Sequence, residues 1–87
     1  MYTIYAIKSL YKNYIYVGLT SDLENRIHRH NSGYEKTTKP YRPFNLIYTE
    51  IAENRESARL REKFLKSSTG KRFLRKLIEN TNQTNQE

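Results

Sequence analysis

Residues 14–30 read YIYVGLTSDLENRIHRH, and this stretch decides the fold. Its first six residues are mostly aromatic or β-branched, which is typical of a β-strand. The pattern then changes, because Ser21 and Glu24 have the spacing of a capping box, so we expect a helix with Ser21 as its N-cap. Residues 31–33 (NSG) supply the stop for that helix. The stretch therefore predicts a strand that turns directly into a helix.

Side chains suited to handling phosphate occur at regular spacing in and before this stretch. Arg26 and His30 are four residues apart, so they share one side of the predicted helix. Tyr16 lies in the strand, and Tyr5 lies in the strand that precedes it. If the hairpin is centred near residues 10–11, the two tyrosines lie opposite each other on one face of the sheet.

The rest of the chain completes a small α+β domain. The predicted order is β-β-α-β-α-α, with a three-stranded antiparallel or mixed sheet flanked by helices. Two prolines make residues 34–43 a loop. We expect one domain over residues 1–78 and a disordered polar tail over 79–87, which has no apolar residue. The other elements are predicted at residues 2–8 and 44–51 (strands) and at residues 55–66 and 71–78 (helices).

Composition restricts the class of protein and the class of partner. The chain has 87 residues, no cysteine and a net charge of +7. A small chain with so much positive charge favours an anionic partner, with nucleic acid as the first candidate and an anionic membrane surface as the second. The absence of cysteine excludes disulfides and thiolate-bound metals. No long apolar run indicates a signal peptide or a membrane span, so we expect a cytoplasmic protein.

At this point the motifs resemble those of a known family. Residues 3–5 (TIY) and 16–18 (YVG) resemble the paired motif of the GIY-YIG nuclease family. The helix that carries Arg26 and His30 also fits, as does the segment 59–66 (RLREKFLK) of the second helix. The similarity covers nearly the whole chain and is greatest to the small stand-alone bacterial members, which are similar to the N-terminal nuclease domain of UvrC.

The resemblance implies an endonuclease that hydrolyses DNA phosphodiester bonds with one divalent ion, Mg²⁺ or Mn²⁺. Glu62 matches the glutamate that binds the metal in the family. Tyr5 and Tyr16 match the tyrosines around the attacking water, and one of them is the general base. Arg26 matches the arginine that stabilises phosphate charge, and His30 matches a position that assists proton transfer. These five residues are the expected catalytic groups.

Substrate contacts are expected from a glycine and from basic residues. Gly18 matches the glycine that lets backbone and substrate approach each other. Residues 55–76 contain nine Lys or Arg and two Glu, which favours contact with phosphates. We expect a role in DNA repair or recombination, in which the choice of substrate comes from DNA shape, from a protein partner, or is absent. The expected substrate-binding cations are Lys36, Lys39, Arg42, Lys66 and Lys71.

The sequence departs from the family pattern at a few positions. Thr3 stands in place of the first glycine, and Val17 replaces isoleucine. Phe73 and Leu74 stand where some larger members carry an asparagine beyond the metal-binding glutamate. The lysine that follows the second glycine in UvrC-like domains is absent.

Each candidate residue also has a plain structural interpretation. The two tyrosines could be aromatic partners across a hairpin. Arg26 could pair with Asp22, and His30 could interact with the helix dipole. Glu62 borders the apolar stripe of its helix, where a carboxylate needs a partner. Its possible partners are Arg59, Lys66 and Arg26.

Two other functions compete with the nuclease hypothesis. The main alternative is a nucleic-acid-binding module that keeps the fold but has little or no catalytic turnover. A third possibility, a protein-interaction domain with a basic surface, predicts no affinity for DNA even at low salt.

Overall fold

The computed structural model describes residues 1–85, with side chains to residue 80, and confirms the predicted α+β class. The strands form where Tyr, Ile, Val and Thr concentrate, because these side chains pack well on a pleated sheet. A 3₁₀ turn interrupts the predicted loop. The elements are β1 (Tyr2–Ser9), β2 (Ile15–Thr20), α1 (Leu23–Ser32), the 3₁₀ turn (Lys39–Tyr41), β3 (Phe44–Ala52), α2 (Arg55–Lys66) and α3 (Ser68–Asn85).

β1 is the central strand of the sheet and pairs antiparallel with both neighbours, in the order β2-β1-β3. Tyr5 lies opposite Gly18, and Ile7 lies opposite Tyr16. The predicted register, which placed the two tyrosines directly opposite each other, is therefore wrong. The pairing is shifted by two residues along β2.

The turn between β1 and β2 explains this shift. The backbone N–H of Ser9 donates to the carbonyl of Tyr14 at 3.0 Å. The Ser9 hydroxyl accepts a hydrogen bond from the N–H of Lys12 at 3.1 Å. The contact between Ser9 and Tyr14 centres the turn one residue later than predicted. Because side chains alternate with a period of two, a shift of two residues keeps Tyr5 and Tyr16 on the same face.

Each face of the sheet carries its own core. α2 and α3 cover one face, whose buried residues are Ile4, Ala6, Ile15, Val17, Ala52, Ala58, Leu65 and Leu74. α1 covers the other face, where Leu23 and Ile27 pack against Tyr5, Ile7 and Phe44. Burying one large apolar side chain contributes about 1.5–3 kcal/mol. The second core also encloses polar atoms, which need hydrogen-bond partners there.

α1 begins one residue later than predicted, because Asp22 and not Ser21 is its N-cap. The Asp22 carboxylate accepts a hydrogen bond from the N–H of Asn25 at 3.3 Å. The Thr20 hydroxyl accepts one from the N–H of Asp22 at 3.0 Å, which fixes the path from β2 into α1. Gly33 ends the helix as predicted, with a left-handed φ of 83°.

α3 begins immediately after Ser67 rather than at the predicted Lys71. The Ser67 hydroxyl accepts a hydrogen bond from the N–H of Gly70 at 3.2 Å, so it caps the new helix directly. The helix extends to Asn85, and the last two residues of the predicted polar tail lie outside the described range. Neither α3 nor any other helix described here is long and apolar enough to cross a membrane.

Candidate active site

The centre of the candidate site is a buried hydrogen bond between Tyr5 and His30. Tyr5 lies in the middle of β1, and His30 lies in the last turn of α1. The Tyr5 hydroxyl is 2.8 Å from Nε2 of His30. Tyr5 is 0% exposed and His30 is 1% exposed. The structure thus brings together two residues that the sequence singled out, and their hydrogen bond satisfies polar atoms that would be costly to bury alone.

The other ring nitrogen of His30 contacts Thr38, a residue that was not predicted from the sequence. Nδ1 of His30 is 2.8 Å from the Thr38 hydroxyl, and Thr38 is fully buried. The Thr38 hydroxyl also donates to the carbonyl of Glu35 at 3.4 Å. Thr38 lies in the segment predicted only as a basic loop, and no motif marks it. Both ring nitrogens of His30 therefore have a defined partner.

Tyr16 and Gly18 enclose Tyr5 from β2. The Tyr16 ring centroid lies 6.3 Å from that of Tyr5 and 5.0 Å from that of His30. Tyr16 is half-buried, so it is the tyrosine of the pair that solvent reaches. A Cβ on Gly18 would lie 2.6 Å from the Tyr5 hydroxyl oxygen. Gly18 is therefore needed here to make room for the buried Tyr5 ring.

Burial and charge set the protonation states of this pair. Burial raises the pKa of Tyr5, and Tyr16 raises it further, whereas the Arg26 guanidinium lowers it by charge and hydrogen bonding. Burial also lowers the pKa of His30. The charge of Glu35 raises this pKa, whereas the charge of Arg26 lowers it. Both side chains are consequently neutral at neutral pH. Arg26 lies one helical turn before His30 and is half-buried.

An acidic group beside the site was also missed from the sequence. The Glu35 carboxylate accepts a hydrogen bond from Nε of Arg29 at 2.8 Å. That hydrogen bond holds the pKa of Glu35 below its usual value. The negative charge of Glu35 also acts on Tyr5 and His30. The site therefore has an anion as well as the cation of Arg26.

Glu62 lies on α2 and forms an ion pair with Lys66, whose Nζ is 3.3 Å from the carboxylate. Within the described residues, no hydrogen bond or ion pair joins Glu62 to Tyr5 or His30, and no group of three or more His, Cys, Asp or Glu could hold a metal. The Glu62 side chain keeps 19% of its surface exposed. Mg²⁺ retains several waters and takes one or two carboxylates, so a single partly exposed carboxylate fits such an ion.

The chain as a whole is similar to a known protein family. The profile of the GIY-YIG catalytic domain matches residues 1–77. The chain belongs to the GIY-YIG family. This family is one of nucleases, as the resemblance predicted, and the match covers all three strands, α1 and α2.

Relatives of this GIY-YIG chain include UPF0213 proteins of bacteria. One from Clostridium perfringens is 41% identical over 56 residues, which are 63% of this chain and 60% of the relative. One from Staphylococcus aureus is 36% identical over 66 residues, which are 75% of this chain and 80% of the relative. The match thus spans less than two thirds of the Clostridium protein. No solved structure matches the chain.

The predicted substrate-binding cations of this GIY-YIG domain lie in different environments. Lys36 and Lys39 are exposed on the loop that follows α1. Arg42 is exposed, but its guanidinium packs against Gly33 at the end of α1. Lys66 is paired with Glu62 on α2, as one of the alternatives for that glutamate anticipated. The first two are therefore the most accessible.

Lys71 links α3 to β2 through a hydrogen bond. Its Nζ donates to the carbonyl of Ile15 at 2.6 Å. Burial lowers the pKa of Lys71, and the charges of Arg75 and Lys66 lower it further. A groove of about 420 Å³ lies alongside and is lined by Ser68, Lys71, Arg72, Arg75, Lys76 and Glu79. Four cations and one carboxylate give this surface, which we name the α3 groove, an excess of positive charge.

Proposed function

We propose that the protein is a divalent-metal-dependent endonuclease that hydrolyses phosphodiester bonds of DNA. The observation that carries the proposal is the buried hydrogen bond between Tyr5 and His30, with the Arg26 cation beside it. Membership of a nuclease family supports the reaction class. A proton acceptor next to a fixed positive charge is what attack of water on a phosphodiester requires.

His30 accepts a proton in this mechanism. The Tyr5 hydroxyl proton passes to Nε2 of His30 as the Tyr5 oxygen takes a proton from the attacking water. The water oxygen bonds to phosphorus, and the bond to the leaving sugar oxygen breaks with its electron pair on that oxygen, which then takes up a proton from solvent. Tyr5 has no solvent exposure, so this transfer requires substrate binding to admit a water beside Gly18. The half-exposed Tyr16 is placed to orient that water.

Positive charge stabilises the phosphate oxygens as the water attacks. Arg26 supplies a permanent charge beside Tyr5. Glu62 would hold the Mg²⁺ or Mn²⁺ ion, which when bound supplies further charge stabilisation to the phosphate. Lys66 must then give up its ion pair with Glu62 and is free to contact a DNA phosphate. Lys36 and Lys39 extend this basic surface on the side of α1.

A second candidate function is a nucleic-acid-binding module with little turnover. Two observations favour it: Tyr5 is fully enclosed, and Glu62 is already paired with Lys66. In either case the biological setting that we propose is DNA repair or recombination in the cytoplasm. A protein partner sets the choice of substrate, since the basic surfaces contact phosphates without reading sequence.

Nicking of supercoiled plasmid DNA in Mg²⁺ or Mn²⁺ separates the two functions. We expect nicking by the wild type and a loss of about a hundredfold or more in Glu62→Gln, because the metal contributes most of the charge stabilisation. Glu56→Gln is the matched control, because it removes an exposed carboxylate from the first turn of the same helix. DNA binding without nicking, unchanged by Glu62→Gln, is the result that establishes the binding module instead.

A further inference from the structure

We propose that Thr38 is a positioning residue that fixes the tautomer of His30. Its hydroxyl accepts a hydrogen bond from Nδ1–H, which leaves Nε2 unprotonated and facing the Tyr5 hydroxyl. Thr38 touches neither the substrate nor the reacting atoms, so it acts through His30. The catalytic consequence rests on the proposed function, whereas the tautomer itself does not.

Burial and a local turn hold the Thr38 hydroxyl next to Nδ1 of His30. Thr38 is 0% exposed, and its hydroxyl lies 2.8 Å from Nδ1 of His30. A local turn holds the residue, because the carbonyl of Glu35 accepts hydrogen bonds from the N–H groups of Thr38 and Lys39 at 3.2 and 2.9 Å. The same carbonyl lies 3.4 Å from the Thr38 hydroxyl. The hydroxyl therefore has an acceptor for its own proton.

The hydrogen-bond partners of Tyr5 decide between the two neutral tautomers of His30. If Nε2 carried the proton, the Tyr5 oxygen would accept from His30, and no other acceptor of a hydrogen bond from the Tyr5 hydroxyl is found among the described residues. The buried Tyr5 proton would then lack an acceptor, which is costly. With the proton on Nδ1, every donor has an acceptor: Tyr5 donates to Nε2, Nδ1 donates to Thr38, and Thr38 donates to the Glu35 carbonyl.

No other group competes for the ring nitrogens of His30 among the described residues. Its remaining neighbours act on the ring by aromatic contact or by charge. Phe44 and Tyr16 contact it through their rings. Charged groups reach it from α1 and from the loop that follows: Arg26, Arg29 and Glu35. Thr38 at Nδ1 and Tyr5 at Nε2 thus define together which nitrogen carries the proton.

The orientation of the Tyr5 hydroxyl is the functional consequence. A proton directed at Nε2 leaves the lone pairs of the Tyr5 oxygen available to a water that donates to it. In the other tautomer, His30 would donate to Tyr5 and could not accept its proton. Loss of the Thr38 hydroxyl should therefore slow the reaction by allowing the unproductive tautomer to form.

Nitrogen-15 NMR of the histidine rings tests the tautomer without any assay of activity. The chain has two histidines, and His28→Gln leaves His30 as the only signal. We expect an unprotonated Nε2 in the wild type and in Thr38→Ser, and a mixture of tautomers in Thr38→Val. A protonated Nε2 in the wild type overturns the proposal, and so does an unchanged ring spectrum in a folded Thr38→Val. If Thr38→Val does not fold, the wild-type spectrum alone gives the decision.

Nicking of plasmid DNA then tests the catalytic consequence. We expect Thr38→Val to reduce the nicking rate about tenfold or more and Thr38→Ser to restore it, with DNA affinity unchanged in both. The predicted tautomer in a protein that does not nick DNA contradicts the proposed nuclease function and leaves the assignment of Thr38 intact. A protein that nicks DNA with Nε2 protonated contradicts the assignment of Thr38 and leaves the nuclease function intact.

Discussion

Gly18 makes room for a buried hydroxyl because it lacks a Cβ. A Cβ there would lie 2.6 Å from the Tyr5 oxygen and 2.8 Å from the ring carbon that bears it. Tyr5 is fully buried and cannot swing into solvent to relieve the contact. We predict that Gly18→Ala lowers the free energy of unfolding by about 1–3 kcal/mol, the usual cost of overpacking, as measured by urea denaturation.

The same substitution should also disturb the site, because the displaced Tyr5 ring carries the partner of His30. Thr49→Ala is a suitable control, since Thr49 is exposed and lies opposite Tyr5 on β3. We expect this control to change stability by less than about 1 kcal/mol and to leave the His30 ring signals unaltered. Wild-type stability in Gly18→Ala would show that the Tyr5 ring adapts without cost.

His30 should make the stability of the fold depend on pH in a mildly acidic range. Its pKa lies below 6.5 in the folded protein, so the unfolded chain binds a proton first as the pH falls. The unfolded state then holds more protons, and the free energy of unfolding decreases below a pH of about 6.5. We predict this decrease in urea denaturation of the wild type between pH 7.5 and 5.5.

Carboxylates lose their contribution to the free energy of unfolding in a different pH range. The effect of His30 can therefore be measured separately. The pKa values of Glu35 and Glu50 are lowered from 4.5, so their contribution is present above that pH and is lost as the pH falls further. His30→Gln should be less stable at pH 7.5 but nearly independent of pH down to 5.5. An equal pH dependence in this variant would assign the effect to another residue.

Some helix boundaries can be predicted from local residue types, whereas others depend on hydrogen bonds with neighbouring residues. Gly33 and Asn54 were correctly predicted as the end of α1 and the N-cap of α2, because each residue type suits its position by itself. Ser21 and Asp22 both suit an N-cap, and the Thr20 hydroxyl selects Asp22 by binding its N–H. The start of α3 was missed because Ser67 caps it without any intervening loop.

Gly70 sets how closely α2 and α3 approach at this junction. A Cβ on Gly70 would collide with the Phe64 carbonyl and the Leu65 Cα, which are backbone atoms and cannot rotate away. Alanine favours a helix over glycine by about 1 kcal/mol, and the clash must exceed this gain. We predict that Gly70→Ala is destabilising overall by about 1–3 kcal/mol in urea denaturation.

Thr69→Ala provides the matched comparison for this junction. Thr69 is exposed and adjacent to Gly70 in the first turn of α3. We expect it to remain within about 0.5 kcal/mol of the wild type, as is usual for surface substitutions. If Gly70→Ala instead gained stability, the two helices would be free to separate slightly at no cost.

At the scale of the whole molecule, the secondary-structure elements and the proximity of Tyr5, Tyr16 and His30 were easier to predict from the sequence than the contacts around them. Tyr5, Tyr16 and His30 come together because strand and helix periodicity place them on facing surfaces. Thr38 and Glu35 reach His30 from a loop. A loop has no periodicity that indicates which side chains point into the protein. The partner of Glu62 was left open among three cations, and in the structure it is Lys66, which lies four residues further along α2.

The distribution of charge gives a prediction that involves the molecule as a whole. The Tyr5–His30 site lies on the α1 face of the sheet, whereas the α3 groove lies beside β2, to which Lys71 fastens it. Strand β2 carries Tyr16 next to Ile15, the residue that Lys71 contacts. We therefore predict that a DNA backbone bound at the candidate site crosses the edge of β2 to reach the α3 groove.

If DNA follows this path, Arg72 and Lys76 neutralise phosphates and release counterions. We predict that Arg72→Gln and Lys76→Gln each reduce the slope of log affinity against log salt concentration by about 1. Fluorescence anisotropy with duplex DNA in EDTA measures this slope without cleavage. Arg55→Gln removes the same charge from the exposed start of α2 and should leave the slope unchanged. Equal losses in all three variants would mean that total charge, and not the α3 groove, governs binding, because a contact with phosphate changes the slope only where it is made.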